Sequence, residues 1–165
     1  MSDLAKIVSA TTAVPKSGDF RTVEDSLLAP IKTKCRTDPT SLDDVYHYLS
    51  VDLSKKNGAV RYRALCVIDV LFQRSSAFRM IVANNIKTVV NCSGLLDSCV
   101  HGQSSSSAPT SHGAEVQNKV KSLIEVWDAD FGRKHPQIHA IARYFRETLK
   151  LTTSIDNQVT LSCWT

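Results

Sequence analysis

The stretch from Val60 to Asn84, VRYRALCVIDVLFQRSSAFRMIVAN, decides the fold. Advanced by about 100° per residue, Ala64, Leu65, Val67, Ile68, Leu71 and Phe72 share one broad arc, and Tyr62, Arg63, Asp69, Gln73 and Arg74 share the other. That pattern is an amphipathic helix whose apolar face is too wide for one partner helix. Ser75 and Ser76 interrupt it, because short hydroxyl side chains compete for backbone hydrogen bonds and favour turns and caps. A second apolar run then follows through Phe78, Met80, Ile81 and Val82. Two helices at the centre of a helical array have this signature.

Working outward, the same periodicity recurs on both sides. Leu4, Ile7 and Val8 mark a short first helix, capped by Ser2 and finished before Pro15 and Gly18, which is expected to cover one end of the array. Thr22 with Asp25 resembles a capping box for a helix burying Leu27, Leu28 and Ile31, kinked or restarted at Pro30. Asp38-Pro39 predicts a helix start, followed by Leu42, Val45, Tyr46, Leu49 and Leu53, with Asn57 and Gly58 as the stop. After the break at Asn84 and Asn85, Ile86, Val89 and Val90 begin a helix that ends near Gly94. The serine-, glycine- and proline-rich run 98–113 has no period and reads as a flexible loop inside the domain. Val116, Val120, Leu123, Ile124, Trp127 and Phe131 trace a long stripe stopped by Gly132, with Trp127 at a core position. Ile138, Ile141, Ala142, Tyr144 and Phe145 form a last helix ending around Lys150, and 151–165 reads as a loosely ordered tail. The expectation is an all-α domain over 1–150, about eight helices stacked as a superhelix.

A chain of 165 residues can bury roughly 70% of the surface its unfolded form exposes, so it needs no metal or disulfide to fold. No apolar run reaches the ~18 residues of a membrane span, and the amino terminus does not read as a secretory signal. The five cysteines are accordingly read as reduced, with Cys35 and Cys66 inside helical patterns as small apolar groups. Catalytic and metal constellations fail on spacing. There is no G-x-S-x-G, no glycine-rich phosphate loop and no H-E-x-x-H. His135 and His139 stand four apart, but Pro136 lies between them and no paired cysteines accompany them. Neither an enzyme nor a cofactor is expected.

The charge is uneven. Between Ser54 and Lys87 stand Lys55, Lys56, Arg61, Arg63, Arg74, Arg79 and Lys87 against Asp69 alone. A segment so positive attracts acidic partners or nucleic acid. We take Arg61, Arg63, Arg74 and Arg79, with Tyr62 and Gln73 beside them, as a basic stripe for an acidic protein partner. On that reading, reversing the charge of Arg63 and Arg74 weakens binding and leaves the melting temperature nearly unchanged.

The run Asn57-Gly-Ala-Val-Arg61, with Ala64-Leu65 and Ile68-Asp69-Val-Leu71-Phe72, resembles the central hairpin of the ENTH/VHS domains, right-handed superhelices of about eight helices. Within that group, Leu71-Phe72-Gln-Arg74-Ser75-Ser-Ala-Phe78-Arg79-Met80, Asn84, and Trp127 with Asp130-Phe131-Gly132 resemble the amino-terminal domain of the UV-stimulated scaffold protein A family, over roughly Asp19 to Thr148. The resemblance implies a non-enzymatic adaptor in transcription-coupled nucleotide excision repair, located in the nucleus on chromatin. Its implied partners are stalled RNA polymerase II, the Cockayne syndrome group A and B proteins, ubiquitin, a ubiquitin protease and the general repair helicase complex. Full-length members carry a long charged middle and a cysteine-containing carboxyl-terminal region that this chain lacks, so recruitment by those regions is not expected of it. Two other classes fit the same fold and charge: a trafficking adaptor for ubiquitinated cargo or acidic lipid, and a nucleic-acid or polymerase-tail binder.

Overall fold

The computed structural model describes residues 2–16, 18–95 and 112–161, with side chains described as far as residue 148. Among these residues it contains eight helices and no strand, the all-α fold the periodicity predicts. They are α1 (Asp3–Thr12), α2 (Asp25–Thr37), α3 (Ser41–Leu53), α4 (Gly58–Arg74), α5 (Ser76–Asn84), α6 (Ile86–Asn91), α7 (Gly113–Phe131) and α8 (Pro136–Leu161). The chain divides into two units, Met1–Leu123 and Ile124–Thr165. Nearly all of the serine-rich loop call at 98–113 lies outside the described residues.

In the first unit each helix from α1 to α6 packs on the next, and α3 also touches α1, α5 and α6. This next-neighbour pattern is what stacked helical hairpins produce. The core is the stripe the sequence marks: Ala64, Leu65, Val67, Ile68, Leu71 and Phe72 of α4 are buried, with Val45, Leu49 and Leu53 of α3 and Phe78 and Val82 of α5. Helix α1 lies against α2, α3 and α4. Its Thr12 hydroxyl sits 2.6 Å from Oδ2 of the buried Asp52, whose Oδ1 receives Lys55 Nζ at 2.5 Å. That carboxylate is therefore compensated by a cation and a hydroxyl, the condition under which a buried charge is tolerated.

Several helix ends follow the sequence and three do not. The Ser2 hydroxyl accepts from Ala5 N at 3.2 Å, as a cap should. Ser75 closes α4 and opens α5 as a single extended residue, φ −122° and ψ 117°, with its Oγ accepting from Phe78 N at 3.2 Å. Gly94 has φ +70°, a left-handed conformation open to glycine, just beyond α6. Asn57 and Gly58, in contrast, do not end α3. Asn57 Oδ1 accepts from Ala59 N at 3.0 Å and Gly58 is the first residue of α4, since asparagine serves an N-terminus as readily as a C-terminus. Thr22 is no cap either, because α2 starts at Asp25 after Glu24, which makes no side-chain capping bond. Helix α2 runs unbroken through Pro30.

The second unit holds the end of α7, a turn, and α8. Trp127 has no exposed surface, in keeping with its core assignment, and Ile124, Ile138, Ala142 and Phe145 are buried as well. Tyr144, expected on the apolar face, is 37% exposed. The backbone of α8 remains helical to Leu161, past the end expected near Lys150.

Candidate functional site

The six residues of the expected basic stripe do not form a stripe. Consecutive helix positions fan out by about 100° each, so Arg61, Tyr62 and Arg63 point in three directions. Arg63 is 2% exposed and points inward. Its Nη2 donates to Thr11 O at 3.0 Å and its Nη1 to Thr22 O at 2.8 Å, with Phe20 O at 3.4 Å. The guanidinium thus clips the end of α1 and the α1–α2 connection onto α4. Burial pulls its pKa down from the usual arginine value, opposed by the nearby Cys66 and Glu24. Periodicity gave Arg63 to the polar face correctly, but carbonyls from a distant part of the chain occupy that side.

Arg61 is half-buried, and its Nη1 donates to Cys92 O, just past α6, at 2.6 Å. Arg79 folds back over the hinge, with Nη1 2.9 Å from Phe72 O and 3.2 Å from Gln73 O, where the last carbonyls of α4 lack helical donors. The Tyr62 ring meets Phe20 edge-on at 5.5 Å between centroids, and Lys119 Nζ lies 5.7 Å from its centre. Phe20 also carries the Arg21 guanidinium at 4.8 Å and the His112 ring at 4.3 Å. Only Gln73 and Arg74 stand exposed at the end of α4. There Lys32 first, and Arg74 more weakly, hold the Asp25 carboxyl below its ordinary range.

A cleft of about 340 Å³ opens in the first unit, lined by Leu53, Ser54, Arg61, Thr88, Asn91 and Cys92. It sits where the α3–α4 turn faces α6. Burial pushes the Cys92 thiol up to about 12, although Arg61 draws it down, so the sulfur is an uncharged wall of this cleft at neutral pH.

The second unit contains a polar cluster that sequence reasoning missed. Asp128, with its side chain 7% exposed, receives His139 Nδ1 at 2.8 Å and is also bonded by Arg146 Nη2. Burial raises the Asp128 pKa, but the two donors together outweigh it and leave the carboxyl below its usual value. Gly132 makes this possible, since a Cβ there would lie 2.1 Å from Asp128 Oδ1 and 2.5 Å from its carbonyl oxygen. His139 therefore braces a carboxylate. Among the described residues no group of His, Cys, Asp and Glu is placed to hold a metal. Cys35, Cys66 and Cys92 are free thiols, and among the described residues no helix is long and apolar enough to cross a membrane.

The fold and its surface define a class: an all-helical domain in which Arg61, Arg63, Arg79 and Arg146 tie helices or their ends to one another. Residues 2–149 match the family described as the UVSSA N-terminal domain, and the chain belongs to that family. It is 24% identical over 128 residues to "UV-stimulated scaffold protein A" of Xenopus tropicalis, covering 75% of this chain and 16% of that protein. It is 26% identical over 129 residues to "UV-stimulated scaffold protein A homolog" of Arabidopsis thaliana, covering 78% and 19%. Against "UV-stimulated scaffold protein A" of Danio rerio the figures are 21% over 151 residues, 89% and 19%. The chain spans less than a fifth of the length of these relatives.

Proposed function

We propose that this domain is a non-enzymatic docking module of a UV-response scaffold, acting in transcription-coupled nucleotide excision repair. It joins RNA polymerase II stalled at lesions to the Cockayne syndrome group A and B proteins and to ubiquitin or a ubiquitinated protein. It acts in the nucleus, on chromatin. The family match over residues 2–149 carries this reading. A domain held by internal clips such as Arg63 presents its outer faces without ordering them first, which lowers the cost of association. Contact with a ubiquitin protease and with the repair helicase complex is assigned to regions of the longer relatives outside this stretch. The exposed pair Gln73 and Arg74 remains our candidate contact from the basic segment. Neither a membrane nor a specific nucleic-acid sequence is a partner in this reading.

The test is a pull-down with the tagged chain from ultraviolet-irradiated and mock-treated cells. Retention of stalled polymerase and Cockayne syndrome proteins only after irradiation is the expected result. Recovery of clathrin-pathway proteins alone, or binding to acidic liposomes, would replace it with a trafficking role.

A further inference from the structure

We propose that the cleft between the α3–α4 turn and α6 is a binding site for carboxylate side chains on an extended acidic peptide segment of a protein partner. The inference rests on the docking reading above only in taking the occupant to be a protein.

Its basis is charge placed around a preformed hollow. The cleft holds about 340 Å³, near the lower end of the range for ligand sites, enough for one or two side chains. Arg61 stands in its wall, fixed by the 2.6 Å bond to Cys92 O, so its cationic head does not have to be ordered on binding. Asn91 adds an amide that can donate to a carboxylate, while the Ser54 hydroxyl, donating to Ser50 O at 3.0 Å, and the Thr88 hydroxyl, bonded to Tyr46, make the lining polar. Lys56 lies two residues beyond the lining Ser54. Lys87 lies one helical turn before the lining Asn91, and both lysines are exposed. The acid nearest in sequence, Asp52, is 4% exposed and already paired with Lys55 and Thr12. Arg61 in the wall, with exposed Lys56 and Lys87 close in sequence to the lining, favours an anionic occupant through charge complementarity. Leu53, Ser54, Arg61, Thr88, Asn91 and Cys92 include no aromatic ring, so a base has no platform to stack on. A peptide carboxylate fits the chemistry better than a nucleic acid does.

The experiment titrates the ¹⁵N-labelled chain with an octapeptide of alternating Asp or Glu with Ser or Gly. Its Asn/Gln counterpart and an oligothymidylate are run in parallel. Amide shift changes from the acidic peptide alone, concentrated in 53–61 and 87–92, are expected. Lys56→Glu with Lys87→Glu should weaken binding about tenfold, while Arg133→Glu with Lys134→Glu, on exposed turn residues of the second unit, should not. Both double variants should retain the wild-type circular dichroism. Shifts centred elsewhere, an effect under about twofold from the first variant, or equal binding of the neutral peptide would overturn the proposal. So would the same shifts with oligothymidylate at equal or higher affinity. Failure here would leave the scaffold reading standing, because the irradiated-cell pull-down reports it separately.

Discussion

Replacing Arg63 with methionine removes a side chain of similar length and all of its hydrogen bonds. The guanidinium makes two well-formed bonds, at 2.8 Å to Thr22 O and 3.0 Å to Thr11 O. Bonds from a charged donor contribute about 1.5–3 kcal/mol each, and the carbonyls left behind lose their partner in the interior. Against this, methionine no longer carries a desolvated charge and fills part of the same space with apolar surface. A net loss of about 3 kcal/mol follows, and in a chain of this length each kcal/mol shifts the midpoint by roughly 2–4 °C, so Tm should fall by about 10 °C. Arg63→Lys keeps the charge but not the planar fork that reaches two acceptors, and should lose a smaller amount. Arg74→Glu, at an exposed site, should stay within about 0.5 kcal/mol of the wild type. Thermal and urea unfolding followed by circular dichroism at 222 nm measures all three. If Arg63→Met melts within about 2 °C of the wild type, the clip contributes nothing net and the argument for it is wrong.

Three further outcomes are expected. Gly132→Ala should destabilise by about 1–3 kcal/mol in urea unfolding, since the added methyl meets a backbone oxygen that cannot rotate away. Asp128→Asn should lower Tm at pH 7. A depressed folded-state pKa stabilises above the ordinary carboxyl value of 3.8 and is lost as pH falls through the folded value. The gap between variant and wild type should therefore shrink below about pH 4, and a constant gap down to pH 2 would contradict the assignment. Maleimide labelling at pH 8, read by peptide mass, should leave Cys92 unmodified in the native protein and modify it in urea, because its thiol is buried and pushed up to about 12.

What could be read in the sequence was local. The period of the apolar residues places α4, α5 and α7 and assigns Trp127 to the interior, because burial of one helix face is written in consecutive positions. The Ser75 break was equally visible, since a short hydroxyl followed by an apolar run is a cap signal. Asn57-Gly58 misled because the same two residue types close one helix and open another. The arginines misled for a deeper reason. Nothing within a few residues of Arg63 indicates that carbonyls 41 and 52 positions away in the chain will receive it. Asp128 likewise meets partners 11 and 18 residues downstream, and the only local trace is a glycine four residues after an aspartate. Charge counted along a chain shows how much there is, while the fold decides which charges face outward.

The placement of the Arg63 clip also orders events during synthesis. Its acceptors lie within the first 22 residues and its donor in the fourth helix, so the amino-terminal segment, already resting on α2 and α3 and bonded through Thr12 to Asp52, gains this last fastening only when residue 63 has left the ribosome. Until that moment the leading helix leaves the side it later turns to α4 open to chaperones and proteases. A premature stop before α4 should therefore yield a fragment whose beginning lacks this clip and is held by α2 and α3 alone.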